Sequence, residues 1–321
     1  MDTTFARVLG FNDMDIGSTS EVSWWEKKLE IALALDNTGS MSSNNKMTEL
    51  KKAAKGLLTT LQTAAKNPDD IKVSIIPFAT DVNVGKSKKD ANWLNWVEWN
   101  EANGTCKNYE NWQWGGNGPS NKDACQNYNG KWKKAEHDDW NGCVTDREKD
   151  HDVLDTAPKN KETDFVTHQA TSCPVELLPL TNVWADLNSK VDSVTPTGNT
   201  NVTIGLAWAW HSLTARQPLN QAAAPAQDLD KVIILLTDGD NTQNRWSSVQ
   251  SEIDERTKKA CENVKAANIK LYTVRVINGN ADLLQTCASG PDMFYDVQSA
   301  SQLNAVFKGI ATNLANLRIA K

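Results

Sequence analysis

The chain has 321 residues, a formal net charge of −6 and an isoelectric point of about 5.4, so no basic excess is available to neutralise phosphates, which argues against a nucleic-acid partner. Its longest apolar runs are strand-sized, far below the roughly 20 residues that cross a bilayer. Six cysteines without C-x-x-C spacing fit disulfides and an oxidising compartment, a periplasm or cell surface, better than zinc.

Residues 1–25 alternate weakly, as at Phe5, Val8, Phe11 and Val22, and are expected to add edge strands as an N-terminal segment. No secretory signal follows Met1, and Thr3-Thr4-Phe5-Ala6-Arg7-Val8 reads as a cut made after a membrane anchor, which reconciles the cysteines with the missing signal. An apolar run at 29–35 predicts a buried strand that ends on Asp36-Asn37-Thr38-Gly39-Ser40. Over 46–66, Met47, Leu50, Ala54, Leu57, Leu58 and Leu61 recur at helical spacing with charges opposite. Asn67-Pro68-Asp69-Asp70 breaks that pattern, and 71–78 resumes as a strand, completing a βαβ unit.

From 85 to 180 the periodicity disappears. This stretch holds seven of the thirteen tryptophans (Trp93, Trp96, Trp99, Trp112, Trp114, Trp132 and Trp140), several Asn-Gly turns and Cys106, Cys125, Cys143 and Cys173. It reads as an insertion of short strands and turns around its own small tryptophan core, stapled by two disulfides whose pairing stays open among three possibilities. The acidic run Asp146, Glu148, Asp150, Asp152 and Asp155 lacks calcium-loop spacing and is expected to be a solvated loop, as is the cluster Lys86, Lys88 and Lys89.

Order returns with a helix from 181 to 191, a loop Thr195-Pro196-Thr197-Gly198-Asn199-Thr200-Asn201 and a helix carrying Ile204, Leu206, Ala207 and Leu213. On the latter, one of Trp208 and Trp210 is expected in the core and the other partly exposed, with His211 a satisfied surface histidine. Then follow a strand at 231–237, a helix at 249–267, a strand at 269–276, a short turn holding Cys287, a strand at 293–297 and a helix at 301–317. Cys261 and Cys287 fall on neighbouring elements and are predicted to form a disulfide. The alternation predicts an α/β fold with a doubly wound, mainly parallel sheet and helices on both faces, spanning 26–321 and interrupted by the 85–180 insertion.

In such a sheet the loops leaving the carboxyl ends of the strands face one crevice, so the oxygens of 36–40 and of Thr237-Asp238-Gly239-Asp240 should meet there. Hard oxygen ligands suit magnesium, manganese or calcium. Asp36-Asn37-Thr38-Gly39-Ser40, Thr200 in its Gly-x-Thr loop and Thr237-Asp238-Gly239 resemble the metal-ion-dependent adhesion site of von Willebrand factor A domains: Asp-x-Ser/Thr-x-Ser, a distant Thr, then a distant Asp. Residues 29–41 and 235–242, the Cys-x-x-x-Lys-x-x-x-Ile segment from Cys261 to Ile269 and Leu317-Arg318 are similar to TadG-like proteins of the bacterial Tad (Flp) pilus-assembly system. That resemblance implies a Rossmann-like A domain in an extracytoplasmic envelope protein, anchored to the inner membrane by an N-terminal helix that this chain lacks. It also implies metal ligation by Asp36, Thr38, Ser40, Thr200 and Asp238, magnesium as the first choice of ion with manganese or calcium as alternatives, and a protein partner that completes the coordination with an acidic side chain.

Two other readings compete. A scaffold component could keep the pocket as a vestige, since fold does not fix function. An aspartyl-phosphate enzyme could use Asp36 as nucleophile, but position 38 is Thr where that chemistry wants a second carboxylate, leaving only Asp240 to serve. No nucleophile elbow, His-Glu-x-x-His spacing or phosphate-binding loop with a Lys accompanies it.

Overall fold

In the computed structural model, which describes residues 27–110 and 118–319, the central sheet consists of β1 (Lys28–Asp36), β2 (Ile71–Phe78), β3 (Leu178–Thr181), β4 (Leu229–Thr237), β5 (Lys270–Val276) and β6 (Phe294–Val297). Their spatial order is β6-β5-β4-β1-β2-β3. Neighbours run parallel except β3, which pairs antiparallel with β2. The expected edge strands of residues 1–25, and Trp112 and Trp114, lie outside the described residues.

The helices are α1 (Lys46–Ala64), α2 (Val97–Ala102) and α3 (Lys122–Asn127) in the insertion, α4 (Trp184–Ser193), α5 (Val202–Ser212), α6 (Gln250–Ala266), α7 (Ala281–Cys287) and α8 (Leu303–Ile319). Strand alternation assigns them to faces. Leu29, Ile31, Leu33 and Leu35 of β1 join Val232, Ile234 and Leu236 of β4 in a cluster covered by α1, α4 and α8. The opposite side chains, Ala32, Ala34, Ile233 and Leu235, join a second cluster with α5, α6 and α7. Alanine there lets α5 seat closely, and Gly205 completes the fit: a Cβ at that position would come within 2.4 Å of the Phe78 ring. This close seating fixes the loop that leads into α5.

Several features differ from the sequence reading. Cys287 ends a helix, α7, rather than lying in a turn, and the chain segment before α4 is the short strand β3. Trp208 and Trp210 are both buried, because α5 is covered on every side by the sheet, α6 and the insertion. His211, expected at the surface, is 1% exposed with both ring nitrogens lacking a hydrogen-bond partner, and burial beside Arg147 and Arg216 holds its pKa well below the ordinary histidine value.

Within the insertion, short ladders join Gly104–Lys107 to Lys131–Lys134, Val82–Asn83 to Cys143–Val144 and Leu94–Asn95 to Phe165–Val166. Disulfides close Cys106 to Cys125, Cys143 to Cys173 and, as predicted, Cys261 to Cys287. Among the described residues, Trp93, Trp99 and Trp140 do not form a separate core: they belong to the same apolar cluster as α5, with Phe165 wedged between Trp93 and Trp208 at centroid distances of 5.7 and 4.6 Å. The acidic run is not a solvated loop either. Asp146 and Asp152 are buried, Arg256 pairs with Asp150 and Asp152, and Arg245 pairs with Glu98 and Glu148, so these carboxylates clamp the insertion to α6 and the loop before it. Among the described residues no helix is long and apolar enough to cross a membrane.

Candidate metal centre

The chain order places β1 between β2 and β4, and the direction of winding reverses across β1 and β4. A crevice opens at the carboxyl end of such a switch point. Asp36 closes β1 there, fully buried, and its two oxygens are held apart by different loops: Oδ1 accepts from the Thr38 amide at 2.8 Å and Oδ2 from the Thr237 hydroxyl at 2.6 Å. Thr38 then starts a single 3-10 turn, Gly39–Ser42, which presents Ser40 to the same place.

Three loops meet at these residues. The Thr38 and Ser40 hydroxyls lie 3.0 Å apart, and Ser40 donates to Asp238 Oδ1 at 2.6 Å. The Gly39 amide donates to the Gly198 carbonyl at 3.0 Å, and Gly198 has a φ of 73°, a left-handed conformation that turns the chain toward Thr200. Thr200 is fixed by exchange with Thr242: its amide donates to the Thr242 hydroxyl at 2.8 Å, and the Thr242 amide donates back to its carbonyl at 2.9 Å. Gly239 shows the convergence most directly, since a Cβ there would stand 3.4 Å from Thr200 Oγ1 and 3.6 Å from Ser40 Oγ. Asn201, next in sequence, caps α5 and donates to Asp146 Oδ2 at 2.8 Å, which ties the Thr200 loop to the insertion.

All five residues expected from the sequence, Asp36, Thr38, Ser40, Thr200 and Asp238, are thus brought together, two carboxylates and three neutral hydroxyls at one crevice, with Ser40 exposed and the other four buried. Burial first, and Asp238 second, push the Asp36 carboxyl up to about 6 against the hydrogen bonds from Thr237 and Thr38. A buried carboxylate beside another is a group that gains from a nearby cation. Among the described residues no three His, Cys, Asp or Glu side chains gather as a metal site, so the hydroxyls are needed to complete any ligand set here. An all-oxygen set of this kind fits a hard divalent cation.

Two residues escaped the sequence reading. Thr242 fixes the Thr200 loop; Lys46, the first residue of α1, is 1% exposed and donates from Nζ to Asp238 Oδ2 at 2.6 Å. One signal was available for Lys46: it falls on the stripe of Leu50, Ala53 and Leu57, where a charge should not be unless something buried answers it.

Residues 155–309 match the family described as von Willebrand factor type A domain, a span that takes in Thr200 and Asp238, and the sheet and helices described above are that fold. The vWF domain of the type V pili tip protein Mfa5 from Porphyromonas gingivalis is similar with a TM-score of 0.53 and 10% identity over 92% of this chain and 97% of that one. The pilus adhesin SpaC from Lactobacillus rhamnosus GG aligns with a TM-score of 0.50 and 15% identity over 90% of this chain, which spans 31% of the adhesin's length. Proximal thread matrix protein 1 from the mussel byssus, with a zinc-occupied MIDAS motif, aligns more loosely, at a TM-score of 0.46 and 12% identity over 90% of this chain and 48% of that one. At these identities the likeness is one of fold. No curated protein matches the chain.

Proposed function

We propose that this chain is a non-enzymatic, divalent-metal-dependent protein-binding module of an extracytoplasmic adhesion or pilus-assembly protein, with the Tad (Flp) system as its specific setting. The observation that carries the reading is the convergence of Asp36, Thr38, Ser40, Thr200 and Asp238 from three separate loops onto one crevice. Asp36 and Asp238 would supply the charge that holds the ion; Thr38, Ser40 and Thr200 would supply neutral oxygens. A magnesium ion, or manganese or calcium in its place, would offer a partner's acidic side chain an electron-poor site. Three disulfides support an oxidising compartment outside the cytoplasm, and the pilus-protein neighbours support the adhesive setting by analogy of fold.

Phosphoryl transfer through Asp36 is disfavoured. Both of its oxygens are engaged by Thr38 and Thr237, and Asp240, the remaining acid of the loop, is exposed. A scaffold with a vestigial pocket has one observation in its favour: the Lys46–Asp238 pair leaves the site satisfied by the chain itself. Calorimetric titration of magnesium and manganese into chelator-stripped protein separates the two readings. The adhesion module binds with saturation and loses binding in Asp238→Ala; a protein with no uptake at millimolar metal is a scaffold. Turnover of generic phosphate esters with magnesium would instead restore the enzyme reading.

A further inference from the structure

Lys46 is placed against its local preference. It opens α1, where the helix dipole disfavours a cation, and no acidic side chain of the first turn other than Glu49 accompanies it. Asn44 and Asn45 take left-handed φ values of 52° and 56°, and after these two residues the chain enters α1 with the lysine inside the protein. There its ammonium holds Asp238 Oδ2 while Ser40 holds Oδ1, so neither oxygen of Asp238 is free. The Ser40 contact is released by rotation of one hydroxyl, which then offers a lone pair. The Lys46 contact is not released so simply, because a buried ammonium parted from its carboxylate is left with an uncompensated charge.

We propose that Lys46 is a tethered cation that neutralises Asp238 when the site is free of divalent metal and competes with that metal for the same carboxylate, so that loading is favourable chiefly together with a carboxylate ligand. The proposal rests on the metal reading above and deepens it. Asp36, Asp238 and Lys46 together give the metal-free crevice one formal net negative charge. Loading with a divalent ion turns this into one net positive charge, and one incoming carboxylate restores neutrality. Without the lysine charge, loading alone reaches neutrality. Removal of that charge therefore strengthens metal binding and weakens its coupling to the acidic ligand, two opposite effects that a lysine with a merely structural role does not produce.

The test titrates manganese and magnesium at pH 7.5 into chelator-stripped wild type, Lys46→Gln and Lys46→Met, with and without acetate as the carboxylate probe. Gln keeps a donor for Asp238 and drops the charge; Met drops both. Metal is expected to bind Lys46→Gln at least about tenfold more tightly, and the gain in metal affinity that acetate gives the wild type is expected to disappear. A measurement on the wild type alone stands beside the variants in case they fail to fold: magnesium taken up in the presence of acetate should shift the ε-methylene NMR signal of Lys46, and an unmoved signal alongside calorimetrically measured uptake overturns the proposal. Equal or weaker metal binding by folded variants also overturns it and leaves the metal reading intact. No binding by the wild type or either variant overturns both. Binding by the variants alone upholds the tethered cation and removes the loaded state from the native protein.

Discussion

The two faces of the sheet are held by different physics. On one, α1, α4 and α8 lay apolar stripes onto Leu29, Ile31, Leu33 and Leu35, and Phe307, Ile310 and Leu314 close the layer. On the other, α5 is buried all round under tryptophans, and the insertion is cross-linked within itself by two disulfides and fastened by Arg245 and Arg256 reaching carboxylates about a hundred residues away in sequence. Regular helices that bury one stripe carry their own packing instructions locally. An insertion that buries itself by distant ion pairs and cross-links carries them only in three dimensions.

The contrast can be broken first on the aliphatic face. Phe307→Ala removes a fully buried ring between α8 and the sheet, and it is expected to cost about 3–5 kcal/mol, the range for emptying a close-packed phenylalanine site. Urea unfolding measures it, and because that face belongs to the sheet itself the whole transition should move as one. On the other face, Cys143→Ser with Cys173→Ser opens a bridge spanning 30 residues and is expected to cost about 2–4 kcal/mol. Here the loss should appear first as faster proteolysis within the insertion, ahead of the global transition. A single shared transition for both variants would show that the insertion is as integral as the sheet.

The same contrast explains how much could be read beforehand. The βαβ unit, the parallel strands and the C-terminal helices were legible because Met47, Leu50, Leu57 and Leu61 repeat at helical spacing and the strands are short apolar runs between breakers. The convergence of the five candidate residues was legible for a related reason: Asp36 ends a strand, Thr38, Ser40 and Asp238 follow strands and Thr200 precedes a helix, so chain order dictates position. Asp152 and Asp146 were not, because nothing near them in sequence announces Arg256 or Arg245. The burial of Trp210 and His211 was hidden by α5 itself, whose uniform apolarity erases the difference between a solvent face and a face covered by another segment. Lys46 was visible as a charge on an apolar stripe, but its partner lies 192 residues on, across the site.

Asp146 sharpens the comparison at its smallest scale, because it joins the insertion to the Thr200 loop of the candidate metal centre. Its Oδ2 accepts from Asn201 and from the Arg245 amide, and burial, with Asp152 and Asp81 adding to it, pushes the carboxyl up to about 7 against those hydrogen bonds. Arg147 and His211 line the same small internal cavity from the insertion and from α5. A carboxyl whose pKa is raised on folding binds its proton more tightly in the native state, so its contribution is fully present below about pH 4 and is lost as pH rises toward 7. Asp36, raised to about 6, acts in the same sense in metal-free protein, so both fall within one window. Asp146→Asn fixes the neutral state at one of the two: in chelator, its stability by urea unfolding should fall less than that of wild type between pH 4.5 and 7.5, by about 1–2 kcal/mol once local relaxation is allowed for. Equal slopes for the two proteins would mean that Asp146 stays ionised through the window, with the Arg245 amide and Asn201 outweighing burial, and would place the whole pH dependence of this junction on Asp36.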